Sequence, residues 1–217
     1  MKLARKIVQL AASLLALGAG ALVTVPAAQA QIIYDFTVDH CTGGCGTPPF
    51  GEVTLTQVGG NVTIDVHLLS GNQYVKTGAA DFMDFKFNAT GVVLADITID
   101  AHTPGLIAQT GIFSGDGTGL FGFGITCPTC GNGGSGRFSD DIVFHVSNAT
   151  IADLISANSL GFVFVADILS GQTGRTGPVA AVAPVSVIPE PETYAMLLAG
   201  LGLLGFAARR RKLKLAA

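Results

Sequence analysis

GEVTLTQVGGNVTIDVHLL, residues 51–69, is the stretch whose reading decides the fold. Val53 and Leu55 alternate with Thr54 and Thr56, and Val62, Ile64, Val66 and Leu68 alternate with Thr63, Asp65 and His67. A period of two is the mark of a strand with one buried face and one wet face. Gly59-Gly60 stands between the two runs, and two glycines there signal a two-residue hairpin. Strands over 52–58 and 61–69 are therefore predicted to pair antiparallel.

Working outward, further runs with strand character cover 31–38, 82–88, 92–100, 120–126, 141–147 and 160–168, punctuated by Gly and Asn/Asp clusters. One short helix is predicted after Thr150, because Asp153 stands three residues on, in the spacing of a capping box. No internal repeat is evident. Many short strands with Gly-rich turns point to an all-β fold, a single antiparallel β-sandwich or jelly-roll domain with one short helix. That domain is expected over 31–172. Residues 173–188, rich in Gly, Pro, Ala and Val, read as an extended linker.

The charges divide sharply along the chain. The whole sequence carries a formal −3. Between residues 31 and 187, however, only Lys76, Lys86, Arg137 and Arg175 stand against thirteen acids, a net −9. An acidic body argues against nucleic acid as a partner, which wants clustered Lys and Arg. The remaining basic residues sit at the two ends.

Those ends read as export signals. Residues 1–30 place Lys2, Arg5 and Lys6 before an apolar run and finish in Ala28-Gln29-Ala30, an A-x-A site. This is the pattern of a secretory signal peptide, with cleavage expected before Gln31 by signal peptidase after passage through the secretion machinery. At the other end, Pro189-Glu190-Pro191 leads into an uncharged stretch over 194–208, followed by Arg209, Arg210, Arg211 and Lys212. Fifteen residues of helix span roughly 22 Å, short of a bilayer core of about 30 Å, but snorkelling arginines extend such a span. The basic end is expected to face the cytoplasm, with 213–217 as a cytoplasmic tail.

With motif, apolar span, basic cluster and signal peptide together, residues 187–212 resemble the PEP-CTERM sorting signal of exported Gram-negative bacterial proteins. The resemblance implies that an exosortase, a membrane protease-transpeptidase, recognises Pro189, Glu190 and Pro191 and processes the tail. It implies a protein held transiently in the inner membrane with its body in the periplasm, then displayed at the cell surface or secreted. Many such proteins accompany extracellular polysaccharide. The physics fits: two prolines forbid helix and keep the motif extended, as a protease cleft requires. The stretches GNQYVKTGAADFMDFKFN and GFVFVADILSGQTGRTG also resemble segments of small PEP-CTERM proteins, a group to which no activity attaches.

The four cysteines are the most chemical feature of the body. Cys41 and Cys45 form C-x3-C, and Cys127 and Cys130 form C-x2-C. Export to an oxidising compartment favours disulfides, while two such pairs also match a thiolate zinc tetrad. Four cysteines allow three connectivities. The Gly/Pro turns favour local pairs. Cross-pairs would instead tie the N-terminal strand to the Gly-rich loop.

Other signals for chemistry are weak. His40, His67, His102 and His145 are scattered and match no metal spacing. No G-x-S-x-G elbow exists, and GDGTGLFGFG from Gly115 lacks the Lys-Ser/Thr ending of a phosphate loop. The acid pairs Asp81/Asp84, Asp96/Asp100 and Asp140/Asp141 suit surface charge, calcium or a two-carboxylate hydrolase. The chain has no Trp, which weakens a sugar-stacking reading. The sequence thus predicts a non-enzymatic exported surface or matrix protein with no catalytic residue, cofactor or metal site, associated with exopolysaccharide or biofilm. The alternative is a calcium- or polysaccharide-binding β-sandwich module.

Overall fold

The computed structural model describes residues 29–77, 82–102, 104–182 and 184–188, with positions 197, 198, 200–202 and 204. The signal-peptide run over 1–28, the motif Pro189-Glu190-Pro191, most of 194–208 and the cluster Arg209, Arg210, Arg211 and Lys212 lie outside the described residues.

The hairpin forms as read. Strand β3 (Gly51–Val58) pairs antiparallel with β4 (Asn61–Leu68) in continuous register from Gly51↔Leu68 to Val58↔Asn61. Gly59 takes φ +61° in the turn. That sign matches the twist of the flanking strands in a two-residue hairpin. Val53, Leu55, Val62, Ile64 and Val66 are buried, and the threonines between them are half-exposed.

Around this hairpin the chain builds two antiparallel sheets. The first takes β1 (Gln29–Asp35), β3, β4, β7 (Ile97–Ile99), β10 (Ile142–Ser147) and β13 (Pro184–Ile188). Its order is β13-β1-β3-β4-β10-β7. The second takes β2 (Val38–Asp39), β5 (Gln73–Tyr74), β6 (Phe85–Phe87), β8 (Ile107–Gly115), β9 (Gly119–Thr126), β11 (Phe164–Leu169) and β12 (Thr176–Ala181). Its order is β2-β12-β11-β6-β9-β8, with β5 also on β11. The fold is an all-β, sandwich-like pair of sheets, as predicted.

Aromatic side chains hold the two layers together. Phe144 of the first sheet meets Phe85 and Phe87 of the second at 6.1 and 5.4 Å between ring centroids. Tyr34 packs edge-on against Phe164 at 5.1 Å. The hydroxyl of Tyr74 donates to the Val66 carbonyl at 2.6 Å, a polar tie between the sheets. The short helix α1 (Ile151–Leu154) starts where the capping signal placed it. The Asp153 carboxylate accepts from the Thr150 amide and hydroxyl at 2.8 and 2.7 Å. These bonds hold the Asp153 carboxyl below its ordinary range.

The expected linker over 173–188 is corrected by the structure. Thr176–Ala181 is an interior strand of the second sheet, and Pro184–Ile188 is the edge of the first. The folded body therefore runs past 172 to Ile188. Small residues are needed here because the backbones approach closely. A Cβ on Gly177 would stand 2.5 Å from Cys41 Cα. The strand expected over 92–100 is also shorter, since a 3-10 turn at Leu94–Asp96 precedes Ile97–Ile99. β8 carries no alternation in sequence, and most of its residues are exposed or half-exposed.

Candidate functional site: the chain exit and its surroundings

The two ends of the body meet at one edge of the first sheet. β1 pairs with β13 in antiparallel register, Gln31 opposite Ile188. Gln31 is the residue expected to begin the mature chain, and Ile188 directly precedes Pro189. In sequence the sorting motif thus begins immediately after the last strand, whose final residue pairs with the expected new N-terminus. Gln29 and Ala30 also pair in β1, opposite Val58 and Gln57. Cleavage before Gln31 would trim this strand to five residues.

Beyond the motif, positions 197, 198, 200–202 and 204 are helical. Leu197, Leu198, Leu201 and Leu204 are 56–69 % exposed, unlike the leucines of a core helix. Among the described residues no helix is long and apolar enough to cross a membrane.

The four candidate cysteines form two local disulfides, Cys41–Cys45 and Cys127–Cys130. Each sulfur is bonded to the nearest cysteine in sequence, so the four do not form a thiolate tetrad. Asp39 organises the first loop: its carboxylate accepts from the amides of Cys41 and Cys45 at 2.8 and 2.7 Å. Beside this loop opens a polar cleft of about 340 Å³ lined in part by His40, Thr42, Asp116 and Arg175.

Two of the scattered histidines, His67 and His145, meet Asp141 and Asp100 on the outer face of the first sheet. Thr63 Oγ1 lies 2.9 Å from His145 Nδ1, and His145 Nε2 lies 3.0 Å from Asp100 Oδ1. This hydroxyl–imidazole–carboxylate chain has the connectivity of an activated nucleophile. It lies on an open sheet face, however, with the His145 and Asp100 side chains 44 % and 51 % exposed. Catalysis by such a chain needs a water-excluding cleft around it.

On the same face His67 pairs with Asp141 at 2.7 Å, and Asp65 lies nearby. Burial raises the Asp65 carboxyl above its ordinary range, helped by the negative charges of Asp141 and Glu52 and opposed by His67. An acid whose folded-state pKa is raised favours folding only where it is protonated. That contribution is lost as pH rises through the raised value. Ionised Asp65 therefore destabilises the protein at neutral pH. Asp65→Asn is expected to stabilise by about 0.5 kcal/mol at neutral pH after solvent screening. In thermal melts the gain should vanish below the ordinary Asp range; a loss at neutral pH would contradict it.

The sequence reading missed one cluster, made of Asp84, Lys86 and Asp167. All three side chains are buried, at 1, 0 and 0 % exposure.

Compared with known proteins, the chain matches the family model of the PEP-CTERM protein-sorting motif over residues 187–212. No curated protein and no solved structure matches it. The match coincides with the end of β13 and the segment that follows it. The chain thus carries at its C-terminal end a PEP-CTERM protein-sorting motif, the mark of an exported protein sorted by exosortase-type machinery.

Proposed function

We propose that this is a non-enzymatic component of the cell surface or extracellular matrix, associated with exopolysaccharide or biofilm. The chain is delivered through the secretion machinery and freed of its leader by signal peptidase. Its tail holds it in the inner membrane with the body in the periplasm until the exosortase acts. The sorting motif at 187–212 carries this reading. A disulfide-closed, acidic β body suits an oxidising exterior.

The test is the mass of the protein recovered from its producing cells. Pro189→Ala with Pro191→Ala is expected to abolish processing, leaving the full tail on a membrane-bound chain. The parent chain should end near the motif and leave the membrane. Identical processing of both would sink the proposal.

A second reading is favoured by the polar cleft beside Arg175 and Asp116. There the body would bind a polysaccharide segment, with Arg175 as its hydrogen-bond donor.

A further inference from the structure

The central strands of the second sheet, β6, β11 and β12, are buried on both faces. On its inner face Phe85, Phe87, Phe164, Ala166 and Ile168 enter the main core. On its outer face Val165 and Ala180 pack with Phe121 in a separate apolar cluster. Lys86 pairs across the strands with Val165, and alternation puts it on that outer face. Asp84 lies two residues before Lys86, and its carbonyl accepts the Asp167 amide at 3.0 Å, so the β6–β11 pairing continues through these two acids. Asp84, Lys86 and Asp167 thus share one patch of the outer face, and none of them reaches solvent.

The geometry is close. Lys86 Nζ lies 2.5 Å from Asp167 Oδ2 and 3.3 Å from the Met83 carbonyl. The Asp84 carboxylate accepts from the Cys127 amide at 2.8 Å, at the start of the second disulfide turn. The β8–β9 turn closes over the lysine stem: a Cβ on Gly115 would come within 3.2 Å of Lys86 Cε.

We propose that Lys86 and Asp167 condense into an intramolecular isopeptide bond. The amine and the carboxyl already touch in a site closed to water, and near-attack geometries lie at about 3–3.5 Å between reacting atoms. Burial penalises both ions, so proton transfer from ammonium to carboxylate is favoured there over water. The neutral amine then attacks Asp167 Cγ, forming the C–N bond. A C–O bond breaks, and the oxygen departs as water. Two ammonium protons leave with that water, and the third stays on the amide nitrogen.

No oxidant, nucleotide or metal enters the balance. Asp84 supplies a second carboxyl on the same face. Two carboxyls and one ammonium balance in charge only when one carboxyl holds a proton; Asp84 can hand such a proton to the departing oxygen and regain one from the ammonium, so it acts as a relay and the overall balance is unchanged. The product replaces two buried ions by one neutral amide and ties together residues 81 apart in sequence.

The test is peptide mapping by tandem mass spectrometry of the full chain recovered folded from cells and then reduced. A branched species joining the Lys86 and Asp167 peptides, lighter than their sum by one water, is expected in the parent chain. It should be lost in Lys86→Arg, which keeps the charge. Folding of the parent is checked independently by a cooperative thermal melt. Linear peptides accounting for all of Lys86 and Asp167 in folded parent protein would overturn the proposal, whatever the variant does.

Discussion

Measured against a parent chain in which Lys86 and Asp167 are still an uncondensed ion pair, Lys86→Met is expected to destabilise the protein by about 3–5 kcal/mol at neutral pH, the range for breaking a buried charge pair from one side. The substitution keeps the length and most of the volume of the side chain, so packing alone explains little of the loss. What it removes is the cation held 2.5 Å from Asp167 in a site with no solvent exposure. Asp84 and Asp167 then remain side by side without that positive charge, and both desolvation and mutual repulsion oppose their ionisation.

Two further results follow from the same physics. The loss should shrink in acid, where protonation neutralises both carboxyls. The double variant Lys86→Met with Asp167→Asn should recover part of the stability, because one buried charge goes with its partner. Urea unfolding of the four proteins of that cycle measures the coupling. Additive losses would mean that the two side chains act independently, contrary to the contact.

The hairpin was legible from sequence because its two faces meet different environments. One face of β3 and β4 is core and the other is wet, so hydrophobicity alternates. β11 and β12 were harder, since both of their faces are covered. FVADIL shows no alternation, and its Asp167 looks like surface charge until Lys86 is found diagonally across on the neighbouring strand. The small residues of Thr176–Ala181 resemble a linker for a physical reason: the neighbouring backbone leaves no room for larger ones, as Gly177 against Cys41 shows. The local disulfides were readable because a Gly- or Pro-containing turn of only two or three residues between the cysteines brings two sulfurs together unaided. The Asp84–Lys86–Asp167 cluster was not, because its members meet only through the β6–β11 register. Asp100 and His145 were likewise separated in sequence and joined by the pairing of β10.

Phe85→Ala is expected to cost about 3–5 kcal/mol, as for other large-to-small changes in a core. The ring is fully buried and stands at the junction of the two layers. It stacks on Phe87 and Phe164, both at 5.8 Å, and meets Phe144 of the opposite sheet at 6.1 Å. Truncation leaves a cavity walled by three rings and by strands on either side, which cannot close without moving a sheet. At about 2–4 °C per kcal/mol for a body of this size, the midpoint of thermal unfolding should fall by roughly 6–20 °C. Phe82→Ala is the control, three residues earlier in the same FMDF run. Phe82 is 48 % exposed, so its loss should stay within about 0.5 kcal/mol. Equal losses at the two positions would mean that Phe85 does not join the sheets. A large loss at Phe85 alone would tie the stability of the body to the aromatic contact between its layers.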